Sequence, residues 1–317
     1  MSIQVLSTGF YVPGAVVTND DLSKLVDTSD EWIVQRVGVH ERHISVDETA
    51  DDFAVNAAKR ALENAKMDAG ELDLIIVATV SPDSVCPSVA AIVQQRIGAT
   101  CPAFDINSAC SGFLFALDVA VSFVNRGTAK NVLIIGTERL SKLVDWKDRG
   151  TCVIFGDGAG AFIVTKGDGY LSSKLFTMGG NEVLEIPSYC GDSPFYKGDR
   201  RKPYILMDGQ RTFKFAVTRI VEDIKEVCEK AGIELSDIDH FVPHQANIRI
   251  IDFAAKKLGV DKDKFFVNID KYGNTSSASI PIAMAELEQS GKLKRGDVVA
   301  MCAFGGGLSS AACIIKW

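Results

Sequence analysis

The sequence is poor in several features that mark particular protein classes. It has four histidines among 317 residues, and none of its eight cysteines belongs to a C-x-x-C pair, so the clustered ligands of a structural zinc site are missing. No run of about 18 apolar residues occurs, which excludes a membrane-spanning helix. The opening residues, MSIQVLSTGFYVPG, lack a basic segment followed by an apolar core. We interpret them as a first strand and turn rather than an export signal.

Positive charge is also scarce. The chain has 34 Lys and Arg against 41 Asp and Glu, which gives a formal net charge of −7. A nucleic acid is therefore not expected as a partner. Because no export pattern is present, we expect the eight cysteines to be reduced thiols of a cytoplasmic protein rather than disulfides.

Strand-like and helix-like segments alternate along the chain, which indicates an α/β protein. The continuous apolar runs LIIVA (74–78) and VLIIG (132–136) predict strands that are buried on both faces. Between such runs we predict helices at Asp51–Lys66, Ser88–Ile97 and Gly112–Asn125. The length allows two domains or one duplicated domain.

The two halves of the chain repeat one order of elements. ELDLIIVATVSPDS, AFDINSACSGFLFALDVA, NVLIIGTERLS and GDGAGAFIVTK correspond to ELSDIDHFVPHQAN, FVNIDKYGNTSSASIPIAMAEL, DVVAMCAFGGGLS and SSAACIIKW. We therefore predict two similar halves, 1–170 and 171–317, which place equivalent strand ends around a pseudo-twofold axis. FVNID is predicted as a strand by this comparison, and Gly179–Tyr204 is predicted as an exposed loop.

Cys110 lies between a strand-like entry, AFDI, and a long apolar helix pattern. A cysteine at a helix N-terminus meets unpaired N–H groups and the positive end of the helix dipole, which favour the thiolate. A thiolate is a nucleophile, so this placement indicates acyl transfer. The alternative is a small buried apolar residue, as free cysteines usually are.

Two further side chains and a glycine run follow predicted strands of the second half. His244 comes directly after a strand, where α/β proteins present functional groups, although a structural imidazole is an alternative. Asn274 precedes an apolar helix and could instead be its cap. The run FGGGL (304–308) could expose N–H donors to an oxyanion or form a tight hairpin. His40 and His43, in VHERH, are interpreted as part of a solvated turn or strand edge.

Taken together, the motifs resemble those of β-ketoacyl-acyl carrier protein synthase III, of the thiolase superfamily. The resemblance extends from about Gly9 to Trp317 and includes six motifs in the family's order: TSDEWIVQRVGVHERH, the Cys110 segment, DRGT…FGDGAGA, HQAN, GNT and FGGG. It implies a five-layered αβαβα fold, made of two mixed sheets around buried helices.

The resemblance also implies a reaction, a decarboxylative Claisen condensation that starts fatty acid synthesis. Cys110 would take an acyl group from a short acyl-CoA, and malonyl-acyl carrier protein would then lose CO2 and attack the acyl-enzyme. His244 and Asn274 would stabilise the enolate, while the N–H groups of Cys110 and Gly306 would hold the acyl oxyanion. No cofactor and no metal are implied, since the CoA thioester is a substrate.

The same resemblance assigns residues that bind the substrates, and it implies a homodimer. The residues for CoA and its pantetheine arm are Thr28, Trp32, Arg36, Arg149, Gly209, Phe213, Asn247 and Phe304, with adenine between Trp32 and Arg149. The residues for the acyl carrier protein are Lys214, Gln245, Ala246, Arg249, Lys256 and Lys257. Without the resemblance, these basic residues would be interpreted as a solvated helix face.

Cys86 departs from the family's pattern, because a bulky aromatic commonly stands there and closes the acyl pocket from the neighbouring subunit. The smaller side chain predicts primers that are longer or more branched than acetyl, unless other residues fill the space.

Three other functions stay open from sequence: a specialised ketide or quinolone synthase, a Cys-His-Asn hydrolase in the order of papain-like proteases, and a non-catalytic acyl-binding scaffold. The residues around Cys110 do not match those expected around the nucleophile of a papain-like hydrolase.

Overall fold

A computed structural model describes residues 2–187, 194–195, 197–198 and 201–317. The strands are β1 Ser2–Tyr11, β2 Val16–Thr18, β3 Glu41–His43, β4 Leu74–Ala78, β5 Ala103–Ile106, β6 Val132–Arg139, β7 Asp157–Gly167, β8 Tyr170–Thr177, β9 Leu184–Glu185, β10 Leu206–Met207, β11 His240–Pro243, β12 Val298–Gly305 and β13 Ser309–Lys316. The α-helices are α1 Asn19–Ser23, α2 Asp30–Arg36, α3 Ala50–Ala65, α4 Val89–Ile97, α5 Gly112–Asn125, α6 Gly209–Ala231, α7 Ile248–Leu258, α8 Ile269–Tyr272 and α9 Ser279–Gln289.

Two mixed sheets form the framework, and their strands run in equivalent directions. The first has the order β1-β7-β6-β4-β5, in which β4 is parallel to β5 and β6, and β7 is antiparallel to β6 and β1. The second has the order β8-β13-β12-β11, in which β11 is parallel to β12, and β13 is antiparallel to β12 and β8. The repeat seen in the sequence is therefore a repeat of topology.

One predicted strand of the second half is wrong. FVNID (266–270) does not form the counterpart of β5: the bridge to β11 joins Phe241 to Phe265, the residue before this segment, and within the segment the Phe266 N–H donates to the Phe241 carbonyl. The extended stretch ends because Asn268 turns the chain into α8, and the Asn268 N–H donates to the side chain of Gln245.

The helices and sheets stack in five layers. Helices α5 and α9 lie between the two sheets, in a core that includes Phe113 and Met284 from the helices and Ile134 and Met301 from the sheets. Helices α3 and α4 cover the outer face of the first sheet, and α6 and α7 cover the outer face of the second. This arrangement confirms the predicted αβαβα fold and its three first-half helices.

Two segments differ in part from what the sequence predicts. The segment VHERH is not solvated throughout: Arg42 is fully buried, and its guanidinium donates to Asn19 Oδ1 and to the Val153 carbonyl. Part of the predicted loop 179–204 pairs as β9 with β10, while residues 188–193, 196 and 199–200, including Cys190, lie outside the described residues. Within the described part of the chain, no helix is both long and apolar enough to cross a membrane.

Candidate active site

Cys110 lies in a short 3-10 turn, Ala109–Ser111, that joins β5 to the buried helix α5. The N–H of Ala109 donates to the Asn107 side chain at 3.2 Å, and Ala109 adopts a positive φ of 47°. A left-handed conformation at a residue other than glycine is uncommon and clusters at functional sites. This tight turn places the thiol beyond the end of β5 and just before the first residue of α5.

The second half builds the same turn before its own buried helix. Ser276–Ala278 precedes α9, the Ser276 N–H donates to the Asn274 Oδ1 at 2.8 Å, and Ser276 has a φ of 49°. The two turns contact each other across the pseudo-twofold axis. The duplication thus brings the cysteine of one half against the asparagine of the other.

Cys110, His244 and Asn274 line one cavity of about 920 Å³. His244 reaches it from the carboxyl end of β11, where its N–H donates to the Cys302 carbonyl at 2.7 Å. Phe304 packs edge-on against the imidazole with 5.3 Å between ring centroids. The three side chains that the sequence places at separate strand ends therefore face a common space.

Local hydrogen bonds fix the orientation of both polar side chains. The Asn274 Oδ1 is occupied by the Ser276 N–H, so the NH2 of the amide is the group left to face the cavity. The His244 Nδ1 contacts the Ser279 hydroxyl at 2.6 Å, which leaves Nε2 for a substrate. Burial lowers the pKa of His244 to about 3, so its imidazole is neutral at neutral pH.

The pKa of the Cys110 thiol differs from what the sequence predicts, which is a stabilised thiolate. Burial raises its pKa to about 12, the hydroxyl of Ser276 opposes this rise, and the buried carboxyl of Glu138 adds to it. Desolvation therefore opposes a standing thiolate at Cys110. The neutral imidazole of His244 lines the same cavity as this thiol.

Glycine is required beside Cys110. A Cβ at Gly305 would lie 2.7 Å from the Cys110 nitrogen and 2.9 Å from its Cβ, so any side chain there would displace Cys110. Gly306, predicted to supply an oxyanion donor, follows directly and lies beside Ala109, whose Cβ is 3.4 Å from the position a Gly306 Cβ would take. The FGGG run thus passes closely under the turn that carries the thiol.

The predicted CoA residues fall into two groups. Arg36, Gly209, Phe213, Asn247 and Phe304 line the cavity with the three candidate catalytic residues. The Asn247 side chain also has a structural role. It caps α7 by accepting from the Arg249 N–H, and it donates to the Arg36 carbonyl.

The other CoA residues, Thr28, Trp32 and Arg149, are outside the lining of the cavity. The Arg36 and Arg149 guanidinium carbons lie 4.6 and 5.2 Å from the Trp32 ring centroid. Adenine between Trp32 and Arg149 would need about 7 Å, two stacking distances, so Arg149 has to withdraw from the ring to admit it. The Thr28 hydroxyl is buried and has no hydrogen-bond partner among the described residues.

The predicted carrier-protein residues are mostly exposed, with one correction. Lys214 on α6 and Arg249, Lys256 and Lys257 on α7 are exposed and join no ion pair formed by described residues, and Ala246 lines the cavity. Gln245 was assigned wrongly, because it is buried. Its amide donates to the Pro243 and Phe266 carbonyls and accepts from the Asn268 N–H, so it holds the β11 loop and cannot contact a partner.

Cys86 does not line the cavity of its own chain. It is exposed on the loop after β4, next to Val85, which is fully exposed. This loop is rigidly attached, since Asp83 accepts from the Ala50 N–H, Arg139 and Lys142. A role of Cys86 in an acyl pocket therefore requires a second copy of the chain.

The sequence reading missed Ser276, Ser279 and Glu138. Aligning the repeat NSACSG with NTSSAS sets Ala109 against Ser276 and Cys110 against Ser277, so the duplication in the sequence places Ser276 at the equivalent point of the second turn. The contact of Ser279 with His244 joins different elements, and nothing in the sequence signals it.

Ser279→Ala should slow the condensation that the sequence resemblance implies by about tenfold to a hundredfold, the usual effect of one lost hydrogen bond in a buried site. The reason is that the Ser279 hydroxyl holds the Nδ1 of His244 and thereby the orientation of the ring. CO2 release from malonyl-acyl carrier protein measures the effect. Ser290→Ala, at the exposed end of the same helix, is the control. Equal rates for both variants would show that Ser279 does not hold the imidazole.

Comparison with known proteins agrees with this geometry. The family model "3-Oxoacyl-[acyl-carrier-protein (ACP)] synthase III" matches residues 104–179, and the model of that synthase's C-terminal part matches residues 228–317. A beta-ketoacyl-[acyl-carrier-protein] synthase III of Clostridium acetobutylicum is 51% identical over 100% of this chain and 99% of its own length.

Solved structures give the same result over the whole chain. The 3-oxoacyl-[acyl-carrier-protein] synthase III of Aquifex aeolicus superposes with a TM-score of 0.93 at 48% identity, over 99% of this chain and 100% of that one. The priming β-ketosynthase of the R1128 polyketide pathway superposes with a TM-score of 0.92 at 36% identity, over 99% of this chain and 96% of that one. The chain belongs to the 3-oxoacyl-[acyl-carrier-protein] synthase III family, thiolase-fold acyltransferases that initiate fatty acid synthesis.

Proposed function

We propose that this chain condenses an acyl-CoA primer with malonyl-acyl carrier protein, with Cys110, His244 and Asn274 as its catalytic residues. In the first half-reaction the Cys110 sulfur attacks the thioester carbonyl, the carbon–sulfur bond to CoA breaks, and the thiol proton ends on the CoA sulfur. In the second, malonyl thioester loses CO2, and the resulting enolate carbon attacks the acyl-Cys110 carbonyl. The carbon–sulfur bond to Cys110 breaks as the carbon–carbon bond forms, and the departing thiolate takes up one proton from water, which leaves 3-oxoacyl-acyl carrier protein and the free Cys110 thiol.

The observation that carries this proposal is the pairing of a thiol with two neutral hydrogen-bond donors in one cavity. Decarboxylation moves negative charge onto the malonyl thioester oxygen, and donors fixed in advance stabilise that charge. Asn274 presents an NH2 because its Oδ1 is occupied, and neutral His244 donates from Nε2 when Ser279 donates to Nδ1. The Ser279 hydroxyl can also accept from Nδ1–H, which frees Nε2 to take the thiol proton during acyl loading.

Reconstitution tests the function directly. The purified chain is incubated with an acyl-CoA and malonyl-acyl carrier protein, and CoA, CO2 and 3-oxoacyl-acyl carrier protein are quantified. The proposal requires the three products in equal amounts. Release of free carboxylic acid without condensation would instead indicate a thioesterase, a hydrolase that uses the same three residue types.

A second candidate is a synthase that primes a specialised ketide. The likeness to the R1128 priming β-ketosynthase supports it, because that protein shares the fold at 36% identity. The extender substrate separates the candidates: a preference for malonyl-CoA over malonyl-acyl carrier protein favours a specialised synthase. The family assignment gives no support to the papain-like hydrolase or the non-catalytic scaffold.

The basic residues of α6 and α7 support the acyl carrier protein as the partner. Lys214 and Arg249 lie near the cavity, since Arg249 lines it and so does Phe213, which precedes Lys214 on α6. Lys256 and Lys257 extend the positive surface along α7. Exposed charges of this kind steer an acidic partner and act mainly on its association rate.

Reversing two charges at once, Lys256→Glu with Lys257→Glu, should raise the KM for malonyl-acyl carrier protein by about tenfold and weaken its dependence on salt. Acyl loading from acyl-CoA should not change, because these lysines are outside the cavity lining. Lys59→Glu, on α3 in the opposite outer layer, is the control. An unchanged KM in the double variant would place the carrier protein elsewhere.

We expect the wild-type chain to accept primers of about four to eight carbons, because a small residue at Cys86 leaves room at the end of the acyl pocket. Cys86→Phe should cut turnover of these primers at least about tenfold relative to acetyl-CoA, whereas Cys86→Ser should not. Turnover of an acyl-CoA panel by the three proteins measures this. A wild-type chain that uses acetyl-CoA alone would refute the expectation.

A homodimer in the cytoplasm completes the proposal. Strand β5 is the open edge of the first sheet and its four residues are half-buried, so two copies can pair these edges and cover the exposed Val85 loop. Such pairing would also bring Cys86 towards the partner's cavity. The seven cysteines of the described residues are all free thiols, which fits a reducing compartment.

A further inference from the structure

Glu138 is a fully buried carboxyl group near the end of β6. It takes part in no ion pair among the described residues, since the neighbouring Arg139 pairs with Asp83 instead. An isolated carboxylate in such a place is costly, and burial raises the pKa of Glu138. The proposed mechanism does not use this group, so its presence needs another explanation.

The hydrogen bonds around Glu138 define its protonation state. Its Oε2 accepts from the Ser81 hydroxyl at 2.5 Å, the Val80 N–H at 3.1 Å and the Thr79 hydroxyl at 3.4 Å. Both hydroxyls accept a backbone N–H themselves, Ser81 from Arg139 and Thr79 from Ser81, so their hydrogens are free to point at Oε2. Oε2 therefore has the surroundings of a carbonyl oxygen.

The other oxygen, Oε1, has the surroundings of a hydroxyl. It lies 2.8 Å from the Ser277 hydroxyl, which also lies 2.9 Å from the Ala78 carbonyl oxygen. A serine hydroxyl has one hydrogen, and a carbonyl oxygen can only accept. With an ionised Glu138, one of the two contacts has no hydrogen. With a proton on Oε1, Glu138 donates to Ser277, Ser277 donates to Ala78, and every contact is satisfied.

Glu138 is also placed where its charge would matter. Ser277 belongs to the turn that follows Asn274, and this turn contacts the one that carries Cys110. Strand β6 approaches it so closely that a Cβ at Gly136 would lie 2.4 Å from the Ser277 carbonyl oxygen. The Ser276 hydroxyl is buried in the same turn without a hydrogen-bond partner among the described residues, and a charge on Glu138 would raise the pKa of Cys110 and disfavour the thiolate.

We propose that Glu138 is held as a neutral carboxylic acid and is a positioning residue, which anchors the turn beside Asn274 without placing a negative charge next to Cys110. The proposal rests on the proposed function, because condensation passes through two anions in this cavity, the thiolate and the enolate. A carboxylate would leave one of the two Ser277 contacts without a hydrogen and would oppose both anions. A neutral acid satisfies both contacts and adds no negative charge.

Infrared difference spectroscopy at neutral pH tests the protonation state without any turnover. Subtracting the spectrum of Glu138→Gln from that of the wild type should reveal the carbonyl stretch of a protonated carboxyl group. Glu286→Gln is the control, because Glu286 pairs with Lys271 at 2.5 Å and should contribute carboxylate bands alone. If the Glu138→Gln difference shows carboxylate bands alone as well, the proposal is overturned.

Alkylation of Cys110 by iodoacetamide, followed on its own peptide from about pH 6 to 8, is the second measurement. Exchanging a neutral acid for a neutral amide should leave the rate within about twofold at each pH. If Glu138 is ionised, its removal lowers the thiol pKa and speeds alkylation about tenfold per unit, which would overturn the proposal.

For the positioning role, Glu138→Ala should lower kcat by about tenfold to a hundredfold and Glu138→Gln should restore it. A folded Glu138→Gln protein as impaired as Glu138→Ala would contradict that role. The spectroscopic and alkylation results hold whether or not the chain condenses its proposed substrates, so the two proposals can fail separately.

Discussion

Replacing Cys110 with serine is expected to abolish acyl loading and to lower condensation by at least about 10⁴-fold, the scale seen when a nucleophile is removed. Serine preserves the volume of the side chain and the geometry of the turn Ala109–Ser111. It loses the nucleophile, because a hydroxyl is much harder to ionise than a thiol and its environment here is already unfavourable to charge. Stopped-flow release of CoA and the steady-state condensation rate measure the two losses.

Cys228→Ala provides the matched control for this substitution. Cys228 is buried in the outer layer of the second half and does not line the cavity, so its loss should cost some stability and leave the rate of CoA release unchanged. A Cys110→Ser protein that releases CoA at the wild-type rate would show that another group accepts the acyl chain.

Replacing Asn274 with aspartate is expected to stop the second half-reaction and spare the first. The side chains have the same shape, and one aspartate oxygen can still accept the Ser276 N–H. The other then presents a negative charge where the enolate forms, so stabilisation turns into repulsion. We expect a loss of at least about 10²–10³-fold in condensation, the scale of a missing oxyanion donor.

His244→Ala should cause a loss of similar size, because it removes the other donor. Burst measurements of CoA release should show that the Asn274→Asp chain still takes up one acyl group per site. Asn181→Asp, an exposed position outside the cavity lining, is the control for the same chemical change. Undiminished condensation by Asn274→Asp would remove the amide from the mechanism.

Much of the fold follows from short-range pattern. The runs 74–78 and 132–136 are apolar throughout because those strands are buried on both faces, and the repeat predicts two sheets of equivalent topology. The failure at FVNID has a tertiary cause. The apolar residues of this segment are typical of a strand. In the structure, however, Asn268 forms hydrogen bonds with Gln245 and Glu286, and the chain enters helix α8 directly after Asn268.

The candidate site likewise has residues that the sequence predicts and properties that it does not. Cys110, His244 and Asn274 are recognisable because each follows a strand or precedes a buried helix, and the duplication requires those points to meet. The pKa of Cys110 cannot be predicted from the sequence, because it depends on how deeply the fold buries the thiol. Gln245 and Glu138 show the same limit: their roles depend on partners from distant segments, which place one in a structural network and the other under the catalytic turns.

Mass spectrometry of the Asn274→Asp chain, mixed with an acyl-CoA and malonyl-acyl carrier protein and then digested, tests the central claim most directly. The account predicts that the acyl group accumulates on the peptide that contains Cys110, while the malonyl group remains intact on the carrier protein. An acyl group on a different residue would contradict the assignment of the nucleophile. A carrier protein that has lost CO2 while Cys110 stays acylated would contradict the role given to the amide.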